Sequence, residues 1–188
     1  MKALVVLAQA KQGGFNRAIA SVAAAVIGEA VVVDLYADSF DPVMPAEELP
    51  RKFSFDDATL HYQEAIREAG RIVFVHPDWW GGPPAILKGF IDRVFRPGVA
   101  YGFREADFRD ENAQGLFANK RVDVLITTDA VPPPLGKAED WPPAQVWKRN
   151  VLEFCGVSDA RIHVFWNLRK SSYAERKAWL QEIGRLLG

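Results

Sequence analysis

A short turn rich in tryptophan, glycine and proline is the stretch of this sequence best suited to binding a ligand. The apolar run Arg71–Val75 leads into Pro77-Asp78-Trp79-Trp80-Gly81, and an amphipathic helix is predicted to begin near Ala85. Backbone N–H groups and a helix N-terminus converge at such a strand-to-helix turn, where α/β proteins form ligand crevices. We expect the two tryptophans to be walls against a flat aromatic ligand, although packing in the core or at a dimer interface explains one of them equally well.

A second candidate ligand loop follows the first predicted strand. It reads Gln9-Ala10-Lys11-Gln12-Gly13-Gly14-Phe15-Asn16-Arg17, and helical spacing begins at Phe15. Glycines let the backbone approach a ligand closely, and the first turn of a helix has unpaired N–H groups that bind anions. The predicted guest of this loop is therefore a phosphate group. An ordinary strand-to-helix connection with a glycine at its bend fits the same residues equally well.

Five apolar segments alternate with five segments of helical periodicity along the chain. Continuous apolar runs without alternation predict strands that are buried on both faces of a parallel sheet. The predicted strands are Ala3–Ala8, Ala30–Leu35, Arg71–Val75, Arg121–Thr127 and Ala160–Trp166. The predicted helices begin near Phe15, Phe55, Ala85, Trp141 and Tyr173.

This alternation predicts an α/β protein with a doubly wound, five-stranded parallel sheet. We expect a single domain over residues 1–188, a flavodoxin-like three-layer sandwich with strand order 2-1-3-4-5 and helices on both faces. In that order the turns after strands 1 and 3 lie side by side at the carboxyl edge of the sheet, where ligands bind.

Composition excludes several classes of protein. The formal net charge is −1, without the basic stripe that a nucleic-acid-binding surface needs. No apolar run is long enough to span a bilayer. The only cysteine, Cys155, excludes an internal disulfide and favours a cytoplasmic location. His61, His76 and His163 are widely separated, which argues against a metal site, and a structural role is expected for His76.

The turn that contains Trp80 is part of a longer motif. Pro-x-x-Trp-x-Gly-x-Pro-Ala-x-Leu-Lys-Gly-x-x-Asp/Glu-Arg-Val-Phe spans nineteen residues, from Pro77 to Phe95. It resembles the flavin-binding signature of the NAD(P)H:quinone oxidoreductases. These are DT-diaphorase-like enzymes, and they include bacterial quinone reductases associated with glutathione-gated potassium efflux. The matching positions are Pro77, Trp80, Gly82, Pro84, Ala85, Leu87, Lys88, Gly89, Asp92, Arg93, Val94 and Phe95.

The resemblance implies positions for a flavin cofactor. The first loop would bind its phosphate, the backbone of Asp78–Gly81 would face the isoalloxazine ring, and Thr127–Asp129 would reach its pyrimidine edge. Amide N–H groups of the turn would then stabilise charge on the reduced ring. The cofactor-binding residues predicted in this way are Gln9, Gly13, Gly14, Phe15, Asn16, Arg17, Pro77, Asp78, Trp79, Trp80, Gly81, Thr127, Thr128 and Asp129.

The phosphate loop departs from the pattern of that family. Gln9 stands where a histidine is common, and Gly13-Gly14 stand where serine or threonine is common. Hydroxyl donors are therefore missing. The resemblance then implies a phosphate held by backbone amides, by Asn16 and by Arg17.

The segment after the fourth predicted strand also departs from the pattern. Asp129-Ala130 replace a glycine pair, which places a carboxylate near the ring unless Asp129 simply caps a loop and points to solvent. A tyrosine and a histidine that stabilise charge during hydride transfer in the mammalian enzymes are missing between Asp129 and Phe154. No catalytic residue is therefore assigned, and Trp141 is the aromatic residue expected to line the pocket.

The resemblance implies a flavoenzyme that takes a hydride from NAD(P)H onto flavin N5 and passes it to a quinone or a similar acceptor. FMN is the expected cofactor, with FAD as an alternative, because longer members bind the adenine of FAD with additional C-terminal sequence. Family members are generally dimers, so we expect a homodimer.

Aromatic residues expected at that interface are Phe53, Phe55, Phe103 and Phe108. The alternative function is a regulatory subunit that docks peripherally on a membrane transporter, with weak or no reductase activity. A flavodoxin-type electron carrier fits less well, because such carriers are usually acidic and this chain is almost neutral.

Overall fold

The computed structural model describes residues 2–50, 54–103, 113–133 and 138–188. Its strands in chain order are β1 (Ala3–Leu7), β2 (Ala30–Asp34), β3 (Arg71–Pro77), β4 (Tyr101–Phe103), β5 (Ala113–Gly115), β6 (Arg121–Thr127) and β7 (Arg161–Phe165). Five of them form a parallel sheet in the order β2-β1-β3-β6-β7, which confirms the predicted order 2-1-3-4-5. The antiparallel pair β4–β5 lies in a stretch for which the sequence predicted no regular structure.

The helices are α1 (Phe15–Ile27), α2 (Asp57–Glu68), α3 (Ala85–Val94), α4 (Pro142–Gln145) and α5 (Tyr173–Leu187). The helix predicted to begin near Trp141 is a short α4 that continues as a π-helical segment, Val146–Glu153. Within the described residues, no helix has both the length and the apolar character needed to cross a membrane.

The sheet is covered on both faces because successive side chains of each central strand point in opposite directions. Val5 of β1 packs in one apolar cluster with Ile19 of α1 and Ile183 of α5. Its neighbour Val6 packs in a second cluster that includes Phe90 of α3. The three-layer sandwich predicted from the sequence is thus confirmed.

Strand β2 differs from the prediction that it is buried on both faces. Val31 is 63% exposed and Val32 is 46% exposed, whereas Val33 is buried. The physical reason is its place in the sheet, since among the described residues β2 is the edge strand and pairs with β1 alone. A run of valines has the same pattern at an edge as in the centre, so the sequence could not distinguish the two.

Part of the nineteen-residue motif holds the fold rather than a ligand. Arg93 is buried; it donates hydrogen bonds to the Asp41 carbonyl at 2.6 Å and to the Asp56 carboxylate at 3.4 Å. These bonds attach the long connection between β2 and α2 to α3. Gly89 is in contact with the same connection, because a Cβ atom at this position would overlap the backbone of Pro42.

Candidate active site

A cavity of about 490 Å³ opens at the carboxyl ends of β3 and β6. Its wall combines the turn after β3, Pro77–Trp80, with the turn after β6, Thr127–Asp129, so two of the three predicted ligand segments meet there. Leu168 and Arg169, which follow β7, complete the wall, and neither was predicted from the sequence. The signal that could have found them is the one used for the other turns, a position at the carboxyl edge of the sheet.

Trp79 to Gly82 form a type I′ β-turn within this wall. The N–H of Trp79 donates to the Gly82 carbonyl at 2.8 Å, and the N–H of Gly82 donates to the Trp79 carbonyl at 3.2 Å. Both central residues are left-handed, with φ of 58° at Trp80 and 76° at Gly81. Type I′ turns require this conformation, which suits glycine but is a genuine outlier for a bulky residue.

The two tryptophan rings of this turn are on the outside of the protein. Trp80 is fully exposed and Trp79 is about half exposed. The alternative that either of them is a core residue is therefore wrong. Both residues line the cavity, as expected for walls against a flat ligand.

Two of the backbone amides predicted to face a flavin ring are already bonded within the protein. The N–H of Asp78 donates to the Thr127 carbonyl at 2.7 Å, and the N–H of Trp79 is used in the turn. In the part of the chain that the structure describes, the N–H groups of Trp80 and Gly81 have no such partner. The turn therefore offers two free donors to a ligand rather than four.

The first loop meets the end of β6 through a buried asparagine. Asn16 donates to the Gln9 side-chain oxygen at 3.0 Å and to Thr127 Oγ at 2.8 Å. Asn16 is almost completely buried, and so is Thr127. These bonds bring the first loop beside the cavity wall, but they also occupy the Asn16 amide that was expected to bind phosphate.

The other two long side chains at the start of α1 also point into the protein. Phe15 packs against Trp179 of α5 with ring centroids 6.0 Å apart, and Arg17 forms an ion pair with Asp34. None of the residues predicted in the first loop lines the cavity itself. Their role in phosphate binding stays a prediction, and it now depends on the backbone of the loop.

Asp129 forms an ion pair at the cavity wall. Its carboxylate accepts a hydrogen bond from the Arg169 backbone N–H at 2.8 Å and lies 3.0 Å from the Arg169 guanidinium. Asp129 therefore caps the short turn Leu168–Lys170, as the alternative interpretation had it, but it also lines the cavity. The neighbouring guanidinium offsets the negative charge that Asp129 places near the cavity.

Asp78 and Thr128 form a second polar pair of the wall. Thr128 Oγ donates to one carboxylate oxygen of Asp78 at 3.0 Å. The other oxygen, Asp78 Oδ1, is buried and has no hydrogen-bond partner in the described ranges. A buried carboxylate oxygen without a donor is costly, so a ligand N–H group at this position would be stabilising.

Two residues near the site are in contact with tryptophan rings. Trp141 packs against Trp166, with ring centroids 5.0 Å apart, and it is not among the described residues that line this cavity, so its role as the aromatic wall stays a prediction. His76 is buried directly before Pro77 and contacts Trp147, in agreement with the expected structural role.

Comparison with known proteins gives consistent matches. A family model for the flavodoxin-like fold matches residues 1–187. The chain is 33% identical over 150 residues to NAD(P)H dehydrogenase (quinone) 1 of Cavia porcellus, a match that covers 68% of this chain and 53% of the relative. It is 29% identical over 146 residues to the FMN-dependent NADH:quinone oxidoreductase of Lachnoclostridium phytofermentans, covering 74% and 69% of the two chains.

A solved structure supports the same assignment. The crystal structure of Smu.1420 from Streptococcus mutans UA159 has a TM-score of 0.84 and 26% sequence identity, and the match covers 100% of this chain and 98% of that chain. The match to the Cavia porcellus enzyme spans only about half the length of that relative. The family match over nearly the whole sequence agrees with the observed strand order, and the chain belongs to the flavodoxin-like fold family.

Proposed function

We propose that this protein is an FMN-dependent NAD(P)H:quinone oxidoreductase. The observation that carries the proposal is Trp80, a fully exposed indole held in a left-handed conformation at the wall of a cavity. Backbone strain and exposed apolar surface both cost free energy in the unliganded protein. Conformational outliers of this kind cluster at ligand sites, and a flat ring stacked on Trp80 would remove its exposed face from water.

The residues of the wall fit the ring system of a flavin. The cavity volume of about 490 Å³ lies in the range of small-molecule sites. The free N–H groups of Trp80 and Gly81 suit the acceptor atoms of the ring, and the orphaned Asp78 Oδ1 suits an N–H donor. The turn Thr127–Asp129 would hold the opposite edge. When bound, FMN would supply the two-electron transfer between a nicotinamide and a quinone.

The start of α1 fits the phosphate of FMN through its backbone. Gly13 has φ of 69°, Gly14 caps the helix without a side-chain hydrogen bond, and the first turn of α1 contains no acidic residue. A helix N-terminus with these properties attracts an anion. In this proposal Gln9, Gly13 and Gly14 border the phosphate, and Asn16 positions the loop against Thr127.

The relatives support an enzyme rather than a transporter subunit. The Cavia porcellus and Lachnoclostridium phytofermentans proteins are named as quinone-reducing enzymes, and the second is named as FMN-dependent. NAD(P)H as the electron donor and a quinone-like molecule as the acceptor are part of this proposal. FAD is the second candidate cofactor.

We also propose that the protein is a homodimer that works in the cytoplasm. Phe55 is 61% exposed, which supports its place in a subunit interface, whereas Phe53 and Phe108 lie outside the described residues. Cys155 is a free, buried thiol, and burial raises its pKa to about 12. An unreactive free thiol fits a reducing compartment.

The visible absorption spectrum of the purified protein tests the function. Protein that has been mixed with FMN and then separated from the free cofactor should show flavin bands. These bands should bleach on anaerobic addition of NADH or NADPH and return when a quinone is added. A protein that binds neither FMN nor FAD would contradict the proposal.

A further inference from the structure

The peptide group between Pro77 and Asp78, where β3 enters the cavity wall, is held on both sides. Its carbonyl oxygen lies 2.8 Å from Nδ1 of His76, and its N–H donates to the Thr127 carbonyl at 2.7 Å. The plane of this peptide therefore has a single orientation. The type I′ turn that contains Trp80 starts at the next residue, so the same peptide sets the direction in which the turn leaves the sheet.

The tautomer of His76 follows from its second contact. The indole N–H of Trp147 lies 3.0 Å from Nε2 of His76. An indole nitrogen can only donate, so Nε2 must be the acceptor. A neutral imidazole then carries its proton on Nδ1, which makes Nδ1–H the donor to the Pro77 carbonyl. Burial lowers the pKa of His76 to about 4, against the opposing effect of that carbonyl, so the ring is neutral at physiological pH.

Trp147 is supplied by an unusual element. It belongs to the π-helical segment Val146–Glu153, and π-helical turns are rare and frequently occur at functional sites. Its ring is 2% exposed and packs on Phe74, with ring centroids 4.9 Å apart. Helix α4, which directly precedes this segment, also approaches the type I′ turn of the cavity wall, since a Cβ atom at Gly81 would lie 3.9 Å from Pro143.

We propose that His76 is a positioning residue of the flavin site. Trp147 fixes the tautomer of His76, and His76 orients the Pro77–Asp78 peptide. This peptide in turn directs the free N–H groups of Trp80 and Gly81 towards the flavin ring. The inference rests on the function proposed above and deepens it. His76 is 1% exposed and does not line the cavity, so it acts through the backbone and not by contact with a ligand.

A pair of substitutions with nearly the same shape separates positioning from packing. His76→Leu and His76→Asn both remove the ring, but the Asn side-chain N–H₂ lies where Nδ1 is and can still donate to the Pro77 carbonyl. We expect His76→Leu to weaken FMN binding about tenfold, as the loss of one hydrogen bond does, and to shift the midpoint potential of bound FMN. His76→Asn should stay within about threefold of the wild type.

Phe74→Leu is the matched control for a damaged core, because Phe74 packs on Trp147 but has no hydrogen bond to the turn. It should lower the melting temperature, while the FMN dissociation constant stays within about twofold and the potential is unchanged. Nitrogen-15 NMR of the imidazole should show the Nδ1–H tautomer in the wild type. Should His76→Leu not fold, Trp147→Phe gives the second test, with an expected loss of that single tautomer and FMN binding about threefold weaker.

The outcomes separate the two proposals. A wild-type protein that binds no flavin overturns the proposed function and this inference with it. In a protein that binds FMN, the inference alone is overturned by equal weakening in His76→Leu and His76→Asn. An effect of Phe74→Leu as large as that of His76→Leu, or an Nε2–H tautomer in the wild type, overturns it too.

Discussion

Replacing Trp80 by asparagine should stabilise the protein and at the same time weaken FMN binding. Trp80 has φ of 58°, and a left-handed conformation costs most residues about 1 kcal/mol. Asparagine tolerates it, and Asn-Gly is the preferred central pair of a type I′ turn. The indole is fully exposed, so its removal sacrifices almost no buried apolar surface. The free energy of unfolding should rise by about 1 kcal/mol, or roughly 3 °C in melting temperature.

The effect on binding has the opposite sign. Stacking of a flat heterocycle on an aromatic side chain contributes about 1–3 kcal/mol, so the FMN dissociation constant should rise by about tenfold or more. Urea unfolding of the apoprotein measures the first quantity, and quenching of FMN fluorescence measures the second.

The matched control is Trp79→Asn. Trp79 is half-buried and has no left-handed φ, so the same replacement should reduce stability. A Trp80→Asn protein that is less stable than the wild type, or that binds FMN with unchanged affinity, would contradict this prediction.

Three further predictions concern the protein's electrostatics and packing. Burial holds the pKa of His76 at about 4, below its ordinary 6.5. The neutral ring therefore contributes its full stability above pH 6.5, and this contribution is lost as the pH falls from 6.5 through 4. Urea unfolding at successive pH values should show that the wild type loses about 3 kcal/mol more unfolding free energy over this range than His76→Leu does. Asp123→Asn removes a fully buried carboxylate that is hydrogen-bonded to Arg71 and His163, and it should lower the free energy of unfolding by about 3–5 kcal/mol. Its control, Asp159→Asn, changes an exposed ion pair with Arg161 and should lower that free energy by less than about 0.5 kcal/mol. Gly89→Ala should destabilise the protein by about 1–3 kcal/mol, because the new Cβ atom would overlap the backbone of Pro42. Gly184→Ala in α5, where the nearest atom would lie 4.0 Å from the new Cβ, should instead stabilise it by up to about 1 kcal/mol. Thermal melts measure both changes, and shifts of the same sign would contradict the overlap at Gly89.

The sequence predicted the layers of this fold because their signal is local. Apolar runs such as Arg71–Val75 and amphipathic segments such as that after Ala85 show their type within a few residues, and alternation of the two leads to a doubly wound sheet. Strand β2 shows the limit of this reasoning. The exposure of Val31 depends on the absence of a neighbouring strand, and that is a property of the whole sheet.

The same limit explains the errors in the site. Asn16 and Arg17 have suitable chemistry for a phosphate, but Asn16 is bonded to Thr127, 111 residues away, and Arg17 is paired with Asp34. Asp129 was expected either near the ring or as a cap, and in the structure it lines the cavity and also caps a turn 40 residues away through the Arg169 N–H. Side chains of this kind select their partners after the chain has folded, so composition and spacing cannot assign them.

The sequence by itself determined that this is an α/β chain whose ligand turns follow its first, third and fourth parallel strands, and that Trp79 and Trp80 lie in one of those turns. Tertiary structure alone decided that Trp80 is displayed in a left-handed turn, that His76 faces Trp147, and that two amides of that turn have no partner within the described ranges. The reason is physical: secondary structure depends on neighbours along the chain, whereas hydrogen bonds between buried polar groups depend on neighbours in space.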